Sequence, residues 1–240
     1  MSAEEFSVVA EKVKGQAYNY YLHVMGEPLM HTALEEILNI CNDKGMSVTL
    51  TTNGTLLCKN KELLRRSACL RKINISLHSY KQNGGSRENF QDFLREIKES
   101  AGFISEGGKP AVNFRLWDNE TVEHFDKTGY TRIKEGYTLS VEKEFVWPSE
   151  EKEPDDSCEA YCLGLKSHVA VLSDGSVVPC CLDSDGEMTL GNIFTSSLRE
   201  CISSPRAVNI KTAFANKKSY ERLCRKCTYR KRFTSSGGTL

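Results

Sequence analysis

Seven of the ten cysteines in these 240 residues fall between Cys158 and Cys227, while Cys41, Cys58 and Cys69 are scattered through the first part of the chain. In a reducing compartment clustered thiols point to metal binding or catalysis rather than to disulfides. Cys224-Arg225-Lys226-Cys227 is a C-x2-C pair, a spacing that lets two sulfurs converge on one centre. Four thiolates suit tetrahedral zinc and an iron–sulfur cluster alike, and spacing does not separate the two. Cys41, Cys58, Cys69 and Cys201 read instead as unligated buried cysteines. A second stretch with chemical content is Met25-Gly26-Glu27-Pro28. Its glycine lets backbone come close to a bound group, its glutamate offers a carboxylate to an amine, and its proline stiffens the turn. His23, His78 and His124 are able to do acid–base work but read as loop or packing residues.

The elements that must position these groups follow from hydrophobic periodicity. Ser2 is a candidate N-cap before an acidic first turn, and Phe6, Val9, Ala10 and Val13 carry a helix that Gly15 closes. Residues 18–24 read as a buried strand, and residues 30–44 as a helix with Leu34, Ile37, Leu38 and Cys41 on one face. A strand at 47–52 runs into the polar turn Thr52-Asn53-Gly54-Thr55; a helix at 59–69 follows. A strand at 72–77 ends in Ser76-Leu77-His78-Ser79, a long amphipathic helix spans 87–104, and a strand spans 111–117. Residues 137–147 have strand character, as a hairpin arm or a last barrel strand. This alternation implies parallel βαβ units, hence a barrel or a doubly wound sheet. Every strand ends in ligand-capable groups, and such folds place ligands at the carboxyl ends of their strands.

The cysteine-rich end has its own pattern. Residues 167–180 read as a hairpin about Asp174-Gly175, running into Pro179-Cys180-Cys181. Leu190-Gly191-Asn192 reads as a further turn, and residues 197–203 and 205–215 as short helices. The acidic, Pro154-containing stretch 150–156 suits a linker. The division is therefore a domain at 1–150, a cysteine-rich domain at 151–234 and a frayed Ser/Gly tail at 235–240. The 32 basic and 32 acidic residues cancel, which gives no charge-based case for a nucleic-acid or membrane partner. No apolar run nears the roughly 18 residues of a membrane span, and Met1 begins no secretory pattern, so a cytoplasmic protein is expected. The Lys/Arg cluster at 222–232 reads as a solvated face beside a metal site.

Taken together, Met25-Gly26-Glu27-Pro28, Thr51-Thr52-Asn53-Gly54-Thr55-Leu56-Leu57 and Ile75-Ser76-Leu77-His78-Ser79 resemble the core of radical S-adenosylmethionine (radical SAM) enzymes. The tail, from Asp174-Gly175-Ser176-Val177-Val178-Pro179-Cys180-Cys181 through Leu190-Gly191-Asn192 to Cys224-x2-Cys227, resembles the SPASM appendage, most of all its shorter twitch variant with one auxiliary 4Fe–4S cluster. The resemblance implies an α/β fold with a partial (β/α) TIM-like barrel ahead of a small SPASM/twitch domain. It implies that Gly26 and Glu27 meet the amino group of SAM, and that Ser76, Arg115 and Asn53 meet its carboxylate and ribose. It carries the auxiliary-cluster ligands onto Cys162, Cys180, Cys224 and Cys227, with Cys158 competing with Cys162 and Cys181 with Cys180.

One departure from the family pattern matters. Its SAM-cleaving 4Fe–4S cluster sits on a C-x3-C-x2-C triplet after the first barrel strand, and these 240 residues contain no such triplet. The chain also opens on a helix with no strand before it. The expectation is a radical SAM core lacking its N-terminal portion, unable alone to make the 5′-deoxyadenosyl radical that abstracts a substrate hydrogen. The resemblance further implies a peptide or small-metabolite substrate and a reducing flavodoxin or ferredoxin. The alternative is a non-enzymatic 4Fe–4S or zinc binding module.

Overall fold

The computed structural model describes residues 1–86, 88–118, 129–144, 147–148, 153–154 and 161–230. Cys158, His124 and the tail 235–240 lie outside the described residues, as does most of the stretch read as a linker. The chain divides into two compact units, Ser2–Glu144 and Phe145–Leu240. Among the described residues no helix is long and apolar enough to cross a membrane.

The first unit opens on α1 (Ala3–Val13), begun by a capping box. The Ser2 hydroxyl accepts from the Glu5 amide (3.2 Å), and the Ser2 amide donates to the Glu5 carboxylate (2.7 Å). Six strands form one sheet: β1 (Tyr20–Leu22), β2 (Val48–Thr52), β3 (Leu70–Ser76), β4 (Ala111–Asp118), β5 (Gly129–Lys134) and β6 (Tyr137–Lys143). Their order is β1-β2-β3-β4-β6-β5. All neighbours are parallel except β5, which runs antiparallel to β6. Residues 137–143 are thus both a hairpin arm and a parallel strand. Helices α2 (Leu34–Asp43), α3 (Leu57–Arg66) and α4 (Phe90–Ile104) connect the parallel strands.

Strand alternation sorts the two faces of this sheet. Val48, Leu50, Ile73, Ile75, Val112, Phe114 and Val141 join Leu38, Leu64, Ile97 and Ala101 in one buried cluster. Residues of the other parity are polar. Thr51, Asn74, Asn113 and Thr138 stand in one register row across β2, β3, β4 and β6, and they are bonded along it. The Asn74 side chain donates to the Thr51 hydroxyl (3.3 Å) and the Asn113 side chain donates to Asn74 Oδ1 (3.3 Å). The hydroxyls of Thr138 (2.8 Å) and Ser140 (3.0 Å) both donate to the Asn113 side-chain oxygen. Strands buried on both faces usually read as continuous apolar runs; these carry a second, self-satisfied polar layer instead.

Two sequence expectations change here. The helix expected at 30–44 is split into a 3₁₀ turn (Pro28–Met30) and α2, because Glu27 caps the turn and His31 accepts from the Ala33 amide through Nδ1 (3.1 Å). The helix expected at 59–69 runs instead from Leu57 to Arg66, with the Ser67 hydroxyl folding back onto the Leu63 carbonyl (2.7 Å).

In the second unit β7 (Ala170–Val171) and β8 (Ser176–Val178) form the expected hairpin. Gly175 turns it with φ +84°, and a Cβ there would sit 2.4 Å from the Phe194 ring. Residues 191–192, expected as part of a turn, form strand β9 (Gly191–Asn192), antiparallel to β8. Gly191 allows this because a side chain would meet Cys201 Sγ at 2.8 Å. Helices α5 (Leu198–Ile202), α6 (Pro205–Ala215) and α7 (Arg222–Lys226) follow.

Asn113 is the hub of the polar row, so Asn113→Ala strands three partners in a buried layer. Urea unfolding is expected to show a loss of about 3 kcal/mol, since each lost bond with an orphaned partner costs about 1–3 kcal/mol. Thr138→Val, which leaves Asn113 bonded to Ser140, is expected to cost about 1 kcal/mol or less.

Candidate functional site

Cys162, Cys180, Cys181, Cys224 and Cys227 line one cavity in the second unit, among Leu182, Met188, Phe214 and Leu223. Each is delivered by a different local device. Cys162 sits in the segment leading to the Gly164–His168 bridge, and the Gly164 amide donates to its sulfur at 3.4 Å. A Cβ on Gly164 would lie 3.2 Å from the Pro179 carbonyl, so the missing side chain lets the Cys162 segment press against the one that carries Cys180. Cys180 follows β8 through Pro179. The loop after it is anchored by buried Asp183, whose carboxylate accepts from the Glu187 and Met188 amides at 2.9 Å each. Cys224 lies in α7 with its sulfur 3.6 Å from Met188 Sδ, and Cys227 caps the C-terminus of the same helix.

Burial dominates the electrostatics of these thiols. Burial pushes the Cys180 thiol up to about 12, against a Leu182 amide that favours the thiolate, and nearby Cys162, Cys181 and Cys227 raise it further. Burial raises Cys224 as well, with the negative forms of Cys180, Cys162 and Cys227 adding to it. Cys162 is raised by burial and by Cys227, while the Gly164 and Leu163 amides and the Arg230 charge act the other way. The four sulfurs therefore repel one another as thiolates, and a shared cationic centre removes that repulsion. Among the described residues no three His, Cys, Asp or Glu side chains stand together as ligands for a single metal ion. A tetrahedral zinc at about 2.3 Å from each sulfur would draw the four to within about 4 Å of one another. A polynuclear cluster spreads its ligands wider.

The remaining thiols play other parts. Cys69 docks on α2: its amide donates to the Asn42 side chain (2.5 Å), its sulfur to the Leu38 carbonyl (3.5 Å), and it shares a hydrogen bond with Cys41. Cys58 is exposed and Cys201 is buried beneath β9. The basic cluster expected to be a solvated face is not wholly one. Lys226 and Arg230 are buried, because Arg230 folds inward to donate to the Ser219 hydroxyl (2.7 Å) and the Arg225 carbonyl (3.3 Å).

At the carboxyl ends of the first unit's strands, Gly26 has φ +92° with open space where a Cβ would be. Glu27 Oε1 accepts from the Leu29 amide (3.0 Å) and the Thr52 hydroxyl (2.7 Å), and Oε2 accepts from the Asn53 amide (2.7 Å). Its carboxylate is a brace between the loop after β1 and the end of β2, a role the motif alone did not reveal. Asn53 accepts from the Thr55 amide (2.9 Å) and hydroxyl (2.7 Å). The following Gly54 has φ +85°, and a Cβ there would be 2.7 Å from Ile97 Cδ1.

Ser76 pairs in register with Arg115, and Arg115 with Ser140. Strand alternation puts all three on the polar face of the sheet. His78 stacks on Trp117 at 3.9 Å between ring centroids, with Nδ1 3.3 Å from the Arg115 carbonyl. Burial first, and the Arg115 charge second, lower His23 to about 4; its Nδ1 is buried without a partner. Burial lowers His78 to about 4 as well. The five residues singled out from sequence thus fall into two linked sets, Gly26-Glu27-Asn53 and Ser76-Arg115. Trp117 belongs with them and escaped notice as an apolar residue.

Residues 162–228 match the iron–sulfur cluster-binding domain family SPASM. A 106-residue stretch is 36% identical to a probable GTP 3′,8-cyclase of Methanococcus maripaludis, covering 41% of this chain. The chain spans about a third (32%) of the length of that relative. Among solved structures, BtrN in complex with AdoMet and 2-DOIA is similar over 95% of this chain and 80% of that one, with a TM-score of 0.63 and 16% identity. The structure of anSMEcpe with bound AdoMet and Cp18Cys peptide is similar over 100% and 84%, with a TM-score of 0.62 and 16% identity. Streptococcus suis SuiB bound to precursor peptide SuiA is similar over 95% and 63%, at a TM-score of 0.56 and 16% identity.

Because His23 and His78 are held neutral in the folded chain, the unfolded chain binds more protons between their ordinary value near 6.5 and about 4. Their contribution is complete above the upper value and is lost as pH falls through this window, by at most about 1.4 kcal/mol per pH unit for each histidine. The double variant His23→Gln/His78→Gln is expected to flatten the stability–pH profile there, as read by urea unfolding at several pH values.

Proposed function

We propose that this chain, a radical SAM superfamily protein ending in a SPASM iron–sulfur domain, holds one 4Fe–4S cluster on Cys162, Cys180, Cys224 and Cys227 and binds SAM at the carboxyl ends of its parallel strands. The observation that carries the reading is that those four cysteines line one cavity, with amides directed at two of the sulfurs. Such amides are a known lever on thiolate-bound clusters. Cys181 also lines the cavity, but neighbouring residues do not easily aim both sulfurs at one iron, and Cys180 is the one that receives the Leu182 amide. When bound, the cluster supplies one-electron redox chemistry.

The chain's own residues do the positioning. Backbone at Gly26 meets the SAM ammonium, with Glu27 holding the loop and Asn53 in place rather than pairing with the ligand alone. Ser76 faces the ribose, and the Arg115 guanidinium pairs with the carboxylate. The substrate class is a peptide or a small metabolite, in an oxidoreductase-type reaction that begins with hydrogen abstraction and draws electrons from a flavodoxin or ferredoxin. Peptides or a small molecule bound in structures of similar fold support that class. SAM cleavage requires a further three-thiolate site, and these 240 residues contain no C-x3-C-x2-C. By itself the chain is therefore proposed to bind rather than to turn over.

Anaerobic reconstitution is expected to load about four irons and four sulfides per chain with little zinc, the content of one 4Fe–4S cluster. Cys224→Ser/Cys227→Ser is expected to abolish loading; Cys158→Ser and Cys181→Ser are expected to retain it. Stoichiometric zinc without sulfide would favour the zinc-module reading. Assaying 5′-deoxyadenosine with and without a C-x3-C-x2-C segment supplied upstream separates enzyme from binder: release is expected only with the segment.

A further inference from the structure

Arg206 lies in the first turn of α6, directly after Pro205. That is the end of a helix where the macrodipole disfavours a cation, so the residue is a poor local choice. Glu221 stands at the N-cap of α7, where a side-chain acceptor commonly bonds the free amides. Among the described residues its carboxylate bonds none of them. Both residues give up a local role for each other. Arg206 Nε donates to Glu221 Oε1 at 2.6 Å and Nη2 donates to Oε2 at 2.9 Å, a two-pronged pair whose carboxylate side chain is 13% exposed. Nη1 donates to the Thr189 carbonyl at 3.4 Å. The guanidinium thus joins α6, the start of α7 and the loop after Cys180 that buried Asp183 anchors. The same loop and the same helix meet again where Met188 Sδ lies 3.6 Å from Cys224 Sγ.

We infer that Arg206 is a positioning residue for the metal centre: its fork holds Cys224 in a fixed place relative to the loop after Cys180, so that the donor set stands assembled before a centre is bound. The inference rests on the cluster assignment above and goes one step beyond it. Cys224 falls in the first turn of the helix that Glu221 opens, so a shift of Glu221 carries that sulfur with it. A guanidinium presents a rigid planar fork that matches a carboxylate, whereas lysine presents a point charge on a flexible stem. A preassembled donor set gives up less ordering entropy on binding, and groups that orient metal ligands weigh heavily on affinity. A pair that only adds stability would lower the urea midpoint of the metal-free chain when broken. It would leave the release rate and the EPR line shape of the loaded chain unchanged.

The test is chelator challenge of the reconstituted full chain, following loss of the cluster absorption with time. Iron, sulfide and the EPR spectrum of the reduced protein are recorded for every sample. Arg206→Lys, which keeps the charge and loses the fork, is expected to release iron about tenfold faster than wild type, as is Glu221→Gln. Because the two residues act as a unit, Arg206→Gln/Glu221→Gln is expected to be no faster than Arg206→Gln alone. An iron-replete Arg206→Lys chain with the wild-type release rate and EPR spectrum overturns the inference, and so do losses that add in the double variant. Should Arg206→Gln fail to fold by circular dichroism, the nearly isosteric Glu221→Gln decides: fast release supports the inference and wild-type retention rejects it. If every variant fails to fold, Arg206 and Glu221 are packing residues and the inference is rejected. A wild-type chain that takes up no iron and sulfide rejects the cluster assignment itself and the inference with it, a result distinguishable from equal release rates in loaded proteins.

Discussion

The cost of ionising several thiols side by side in an apolar wall is the constraint that shapes the cysteine cavity of the second unit. Burial alone raises Cys180, Cys224 and Cys162, and each becomes harder to ionise because the others are near. Converging sulfurs in an apolar cavity gain nothing for a fold that lacks a centre to share. With one, deprotonation, desolvation and packing all favour the same arrangement, and metal affinity becomes folding free energy. This explains why so small a unit spends its special residues on shaping the cavity. Gly164 permits close approach to Pro179, Asp183 ties down the loop after Cys180, and Met188 rests against Cys224.

The first unit solves a different problem, that of keeping a polar lining inside a parallel sheet. Its answer is connectivity. Thr51, Asn74, Asn113, Thr138 and Ser140 satisfy one another across four strands, so none needs solvent. One step nearer the carboxyl ends, the next row is Ser76, Arg115 and Ser140. The closed polar row thus lies one step beneath Ser76 and Arg115. Glu27 performs the equivalent service at the edge, tying Thr52 and Asn53 to its own loop.

Much of this was legible from pattern. Alternating Ile73, Ile75 and Leu77 announced a strand, although Leu77 already belongs to the 3₁₀ turn that follows. Asp174-Gly175 announced its hairpin, and both cysteines of the C-x2-C pair line one cavity. What escaped notice depends on contacts made at long range. Residues 191–192 look like a turn because Gly191 and Asn192 are turn formers, yet pairing with β8 makes them a strand that only glycine fits above Cys201. Arg230 reads as a surface charge because nothing local says that Ser219 and Arg225 lie where its donors reach. Glu27 was recognised as functional, but its hydrogen bonds come from residues 25 and 26 positions further along the chain.

Near Arg115, burial keeps both His23 and His78 neutral, so the imidazoles add no positive charge of their own. Arg115 therefore stands beside neutral rings, and the Glu144 and Glu142 charges also act on His78. The stacking of His78 on Trp117 holds that ring in place while its Nδ1 faces the Arg115 carbonyl.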